Sequence, residues 1–160
     1  LSAQGRLKTE HDMSALPLPK SATRPLWLVL PATAALAWNV FGLWQFGGFL
    51  TQTVDSLMTM GMTEAQALAY SSLPAWMTLV FAVGVIGGTI GTGLLLMQRR
   101  SAVPVLAASL VGYIALFVGD WVHGLFDILP MQLAILSTVV AIAAASFGLS
   151  LFAAKRDMLR

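Results

Sequence analysis

Asp120 and His123 are the two side chains in this sequence whose types and spacing most suggest chemistry. A separation of three residues puts both on one face of a helix that continues through them. A carboxylate beside an imidazole is a pH-responsive pair, of the kind found in proton relays. Asn39 and Gln45 are the other candidates for a polar site. Groups at a membrane interface reach water, and an asparagine inside a bundle forms an interhelical hydrogen bond by default. His123, two residues from Trp121, is the one candidate position for ligation of a pigment; no other cofactor is expected. His11 belongs to the opposite end of the chain's topology, which argues against a haem held by two histidines.

The elements that must hold these residues follow from composition. The chain is 58% hydrophobic and 10% charged over 160 residues. Soluble domains carry about 25% charged residues, so the excess apolar surface is expected to face lipid. Four apolar segments, roughly 25–50, 74–97, 102–122 and 130–154, have the length of about 20 residues that a helix needs to cross a bilayer. All nine basic residues lie outside these segments, in three clusters: Arg6, Lys8, Lys20 and Arg24; Arg99 and Arg100; Lys155, Arg156 and Arg160. Two apolar segments separate each cluster from the next, so all three fall on one side. Enrichment of Lys and Arg on cytoplasmic faces then predicts both termini inside. The expected fold is all-α, a four-transmembrane-helix bundle, N-in/C-in, with a cytoplasmic N-terminal tail (1–24) and C-terminal tail (155–160). Met13 is a candidate start site, which would make residues 1–12 an upstream extension.

Local signals punctuate the spans. Pro25, Pro74, Pro104 and Pro130 stand in or near the first turns, where the missing N–H is tolerated. Pro31 lies inside the first span and predicts a kink. Trp27, Trp44, Trp76 and Trp121 stand near span ends, where tryptophan favours the headgroup region. In the long first outer connection, Thr63 and Gln66 form a capping box that predicts a short amphipathic helix from 64 to about 71. At about 1.5 Å per residue, Asn39 lies about 21 Å from Pro25 and Asp120 about 28 Å from Ser101, both toward the outer side. Span two carries Gly84, Gly87, Gly88 and Gly91, a small-xxx-small pattern that lets another helix approach closely. That partner helix is either in the same bundle or in another subunit. Ala141, Ala144, Ala145 and Gly148 in span four fit ordinary close packing.

Several function classes are excluded or disfavoured. With no cysteine there is no thiolate catalysis and no Cys-ligated metal. The basic residues form no stripe for nucleic acid. No metal-ligand cluster, nucleophile–base set or nucleotide motif is present, and no enzyme activity is expected. No charged residue sits near a span midplane, which argues against a charge-driven pump.

Five stretches together resemble a family of small bacterial four-span inner-membrane proteins of uncharacterised function, some of them labelled sugar transporters. These are Trp38-Asn39-Val40-Phe41-Gly42, the run from Gln66 to Leu73-Pro74-Ala75-Trp76, Gly84-Val85-Ile86-Gly87-Gly88-Thr89-Ile90-Gly91, Leu94-Leu95-Leu96-Met97-Gln98-Arg99-Arg100, and Ala102-Val103-Pro104. The resemblance covers spans one to three. It implies a topology and a bacterial inner membrane, and carries no activity with it. The functional expectation is an accessory or interaction subunit packing against a larger membrane complex. The alternative is a small-solute transporter acting as an oligomer. The lipid bilayer is the first partner; other membrane subunits or a second copy are the next.

Overall fold

The computed structural model describes residues 25–160. The tail of 1–24, with its four basic residues, His11 and the upstream-extension reading of 1–12, lies outside the described residues. The described chain is all-helical: α1 (Leu26–Phe49), α2 (Val54–Thr59), α3 (Glu64–Ser71), α4 (Ala75–Leu96), α5 (Ala102–Val122), α6 (Leu125–Ile128) and α7 (Pro130–Lys155). Four of these, α1, α4, α5 and α7, are long and apolar enough to cross a membrane. Their bounds lie within a residue of the expected spans. Pro25 and Pro74 are N-caps and Pro130 opens α7, as the missing N–H of proline allows. Helix α1 runs through Pro31.

The four long helices form a row that curves back on itself. Helix α1 packs on α4, α4 on α5, and α5 on α7, whereas α1 and α7 touch only sparsely. The α4–α5 seam is the tightest, and glycine makes it so. A Cβ on Gly112 of α5 would stand 2.8 Å from the Val80 carbonyl oxygen and 3.0 Å from the Gly84 nitrogen, both backbone atoms of α4. From the other side, a Cβ on Gly87 would meet the Ser109 Cβ at 3.2 Å, and one on Gly91 the Leu106 side chain at 2.6 Å. Lipid tails are as apolar as leucine, so burial alone gives helices in a bilayer no reason to associate. Close backbone approach supplies the dispersion contacts instead. The glycine pattern read from span two is therefore used within this chain, against α5 and α1.

The two ends of the bundle are built differently. At one end the starts of α1 and α5 meet the ends of α4 and α7. The α4–α5 turn and the last residues are clasped together. The Arg100 N–H donates to the Arg160 carbonyl at 2.8 Å, and the Arg160 N–H donates to the Gln98 carbonyl at 2.7 Å. Leu159, 2% exposed, inserts between Leu95, Leu106 and Ala153. The C-terminal tail, 155–160, packs against the bundle, because Leu159 is apolar and the α4–α5 turn offers backbone groups to pair with. Gln98 and Asp157 both adopt positive φ, 56° and 53°, in the left-handed caps that end α4 and α7. In each cap the next residue's N–H reaches back five positions, Arg99 to Leu94 and Met158 to Ala153.

At the other end, short helices cover the bundle. The Thr63–Gln66 capping box forms as read, and α3 ends at Ser71. A second box, Thr53 with Ser56, opens α2; Ser at the fourth position is a weaker sequence signal than Glu or Gln. Gln66 Nε2 also donates to the Ile128 carbonyl at 3.0 Å, tying α3 to α6.

Replacing Gly112 by alanine should destabilise the protein by about 1–3 kcal/mol, since backbone atoms of α4 cannot yield cheaply. Gly93→Ala, where nothing lies within 4 Å, should be neutral or stabilising through its higher helix propensity. Thermal unfolding of both variants in detergent, followed by circular dichroism, checks the contrast.

Candidate functional site

The candidate polar residues separate into two places. Asn39, buried at 6% exposure, sits in the middle of the bundle. Its Nδ2 donates to the Ala35 carbonyl of its own helix at 2.8 Å. The expected interhelical bond from Asn39 is therefore absent: the amide turns back along α1, and its Oδ1 occupies the space that a Cβ on Gly88 would fill. The glycine on α4 and the asparagine on α1 fit one another. The interhelical hydrogen bond at this level comes from Ser109, whose Oγ donates to the Gly84 carbonyl at 2.6 Å. Ser109 Oγ also lies 3.2 Å from the position of a Gly88 Cβ. Three helices thus meet in one small polar contact, Asn39 of α1, Gly84 and Gly88 of α4, and Ser109 of α5. The sequence reading passed over Ser109. Its register with Leu106, Gly112 and Tyr113 on the glycine-facing stripe of α5 was the available signal.

Asp120 is elsewhere. It is 1% exposed, on the last turn of α5, and accepts a hydrogen bond from Gln132 Nε2 of α7 at 3.0 Å. Gly119 beside it is packed under Met77 and Trp76, where a Cβ would stand 2.8 Å from the indole ring. Gly88 and Met77 are eleven residues apart on α4, so the Asn39 and Asp120 levels differ by about 16 Å along the bundle. His123 does share the end of α5 with Asp120, but it takes a different partner. Its Nδ1 lies 2.8 Å from the Gly119 carbonyl; a carbonyl only accepts, so Nδ1 carries the proton. Its ring is exposed and tilted against Trp76, with centroids 6.5 Å apart. The sequence pair Asp120–His123 becomes a structural pair Asp120–Gln132. Gln45 lies exposed on α1 and joins neither place.

Tyr70 of α3 completes the covered end and was not singled out from sequence. Its ring packs edge-on against Phe49 at 5.8 Å, and Phe49 meets Phe81 and Phe46 in turn. Burial pushes the Tyr70 hydroxyl up to about 12 from its usual 10, with the negative charge of Asp120 adding to the effect. The short helix therefore places a neutral phenol near the buried carboxylate and seals this end of the bundle with aromatic rings.

Chemically, this arrangement holds and shields one carboxylate. Among the described residues, no group of three His, Asp or Glu side chains is gathered as a metal site would need. No fully buried side-chain nitrogen or oxygen there lacks a hydrogen-bond partner. The charges divide by end. Arg99, Arg100, Lys155, Arg156 and Arg160 lie at the clasped end with Asp157, while Asp55, Glu64, Asp120 and Asp127 lie at the covered end. No family model, curated protein or solved structure matches the chain.

If Gln132 is the partner that keeps Asp120 satisfied, Gln132→Leu should destabilise by about 1–3 kcal/mol or more, because the buried acceptor is then unpaired. His123→Ala should stay within about 0.5 kcal/mol, as for other exposed positions. Unfolding curves of the two variants under the same detergent conditions decide between Gln132 and His123 as the working partner.

Proposed function

We propose that this chain is a non-enzymatic accessory subunit of a larger complex in a bacterial inner membrane, joined to it through α7. The observation that carries this reading is the exposed small-residue face of α7. Ser137, Ala141, Ala144 and Gly148 recur at spacings of four, three and four, so they share one face of the helix. All four are exposed, and nothing lies within 4 Å of where a Gly148 Cβ would be. Small residues at this spacing allow a neighbouring helix to come close. Within the chain the same device, on α4 and α5, is already occupied. On α7 it faces outward.

Transport by an oligomer is the second reading, and the buried Asp120–Gln132 pair speaks for it. Tyr113, Asn39 and Leu106 fill the space that Gly84, Gly88 and Gly91 open. A solute path would therefore have to run between chains instead of through one. Extraction from native membranes in mild detergent, followed by native mass measurement, separates the readings. A foreign membrane subunit that is lost in Gly148→Leu supports the accessory role; a homodimer with no foreign subunit favours transport. A monomer for both wild type and variant overturns the α7 interface.

The orientation belongs to the same proposal. Five basic residues at the clasped end favour the cytoplasmic side, which puts the covered end on the opposite side. These 160 residues contain no cysteine, so single cysteines introduced into them report topology directly. In intact cells, a membrane-impermeant maleimide should label Asp127→Cys and leave Asp157→Cys unlabelled. The reverse pattern would invert the proposed topology.

A further inference from the structure

The sparse contact between α1 and α7 leaves a groove of about 460 Å³ between them, lined by Pro31, Ala34 and Trp38 on one side and Ile142, Ala145 and Leu149 on the other. Its registers continue beyond the groove toward the clasped end. On α7, residues 142, 145, 149, 152 and 156 advance by three or four and so form one stripe. On α1, residues 27, 31, 34 and 38 do the same. Trp27, Phe152 and Arg156 therefore stand directly above the groove. The two rings meet edge-to-face at 5.3 Å and close the gap between the helices. The Arg156 guanidinium lies over Phe152 at 4.4 Å and within 5.9 Å of the Trp27 centroid.

This gives the groove a cation at its mouth. Asp157 is adjacent in sequence but pairs with Arg100, at 3.5 Å. Among the described residues Arg156 has no carboxylate partner, and its side chain is exposed. Lys155, also exposed, adds a second positive charge at the same level. The rings brace the arginine from below, and the long side chain holds its charge at the rim of the apolar surface. The groove beneath is almost wholly apolar, and from Pro31 to Trp38 it runs about 10 Å along the helix axis. A cation fixed above an apolar slot matches a molecule with an anionic head and an apolar tail.

We infer that the α1–α7 groove and Arg156 form a binding site for a single anionic phospholipid, with its phosphate on Arg156 and one acyl chain between the helices. The site requires only that the bundle sit in a bilayer. It uses the stripe of α7 through Ala145 and Leu149, not the outward face through Ala144 and Gly148, so it is independent of any partner subunit. Phosphate groups suit arginine because the guanidinium fork can donate two hydrogen bonds at once. The acyl chain fills the space that α1 and α7 leave open, which otherwise only loosely packed lipid would fill.

Native mass measurement of delipidated protein, titrated with phosphatidylglycerol, phosphatidylcholine or inorganic phosphate, tests the site. One phosphatidylglycerol should be retained, with phosphatidylcholine bound several-fold more weakly and inorganic phosphate unable to displace the lipid. Arg156→Gln should weaken phosphatidylglycerol about fivefold, the loss expected for one interfacial cation. Arg99→Gln, at the same end but away from the groove, should leave it unchanged. Ala145→Phe fills the groove without touching the charge, and Ala145 is exposed, so the fold should tolerate it; it should weaken retention as well. Equal retention of the two lipids overturns the proposal. So does equal loss in Arg156→Gln and Arg99→Gln, unimpaired binding in Ala145→Phe, displacement by inorganic phosphate, or a protein chain seated in the groove.

Discussion

The close approach of α4 and α5 is the contact on which the rest of the bundle depends. Gly112 presses against the Val80 and Gly84 backbone, and Ser109 donates to the Gly84 carbonyl at 2.6 Å. In water, two apolar helices would be driven together by burial. In a bilayer they would exchange one apolar neighbour for another and gain little. What remains is dispersion at short range and a hydrogen bond whose alternative is an unpaired hydroxyl in hydrocarbon. Both demand that the backbones meet, and only residues without large side chains allow it. The other helices add to this seam. Asn39 brings α1 onto Gly88, and Met77, Leu116 and Leu136 join α4, α5 and α7 in one apolar cluster.

The two ends show how a small bundle closes itself where the membrane no longer does so. Backbone groups at helix ends need partners. At the basic end the chain finds them in itself, through the 98–100 and 160 backbone pairing, and two non-glycine residues accept left-handed φ to make the turns. Such conformations are disfavoured for side chains other than Asn, Asp or Gly. Gln98 persists there because both its neighbours and Arg160 hold it. At the acidic end the solution is different: capped short helices, aromatic rings around Tyr70, and a carboxylate shielded from solvent by Gln132 and the turn above it.

An openness remains between α1 and α7. The row of four helices joins strongly at three of its four possible seams, and the fourth is held by Trp27 and Phe152 at one end. Both outer helices are the least buried of the four within the chain, with 17% and 22% of their spanning windows buried, so most of their surface must be satisfied by something outside it. This is why the functional readings concentrate on these helices, and why the glycines of α4, which look like an interaction motif in sequence, are not available for one.

Sequence alone determined the number and bounds of the long helices, because span length and proline at the first turns are properties of single segments. The Thr63–Gln66 cap was equally legible, being a local pattern of four residues. Pairing was not. Asp120 and His123 share a helix face in sequence, but Asp120 takes Gln132 from α7, twelve residues on and across a turn. Asn39 looked like a donor across helices, but its amide closes on Ala35 while its oxygen fits Gly88. Whether a small-residue stripe is filled or free was also undecided, since Gly84–Gly91 and Ala141–Gly148 obey one spacing rule. Periodicity states which residues share a face. Only the packing of α4 between α1 and α5, and of α7 at the edge of the row, decides what that face meets.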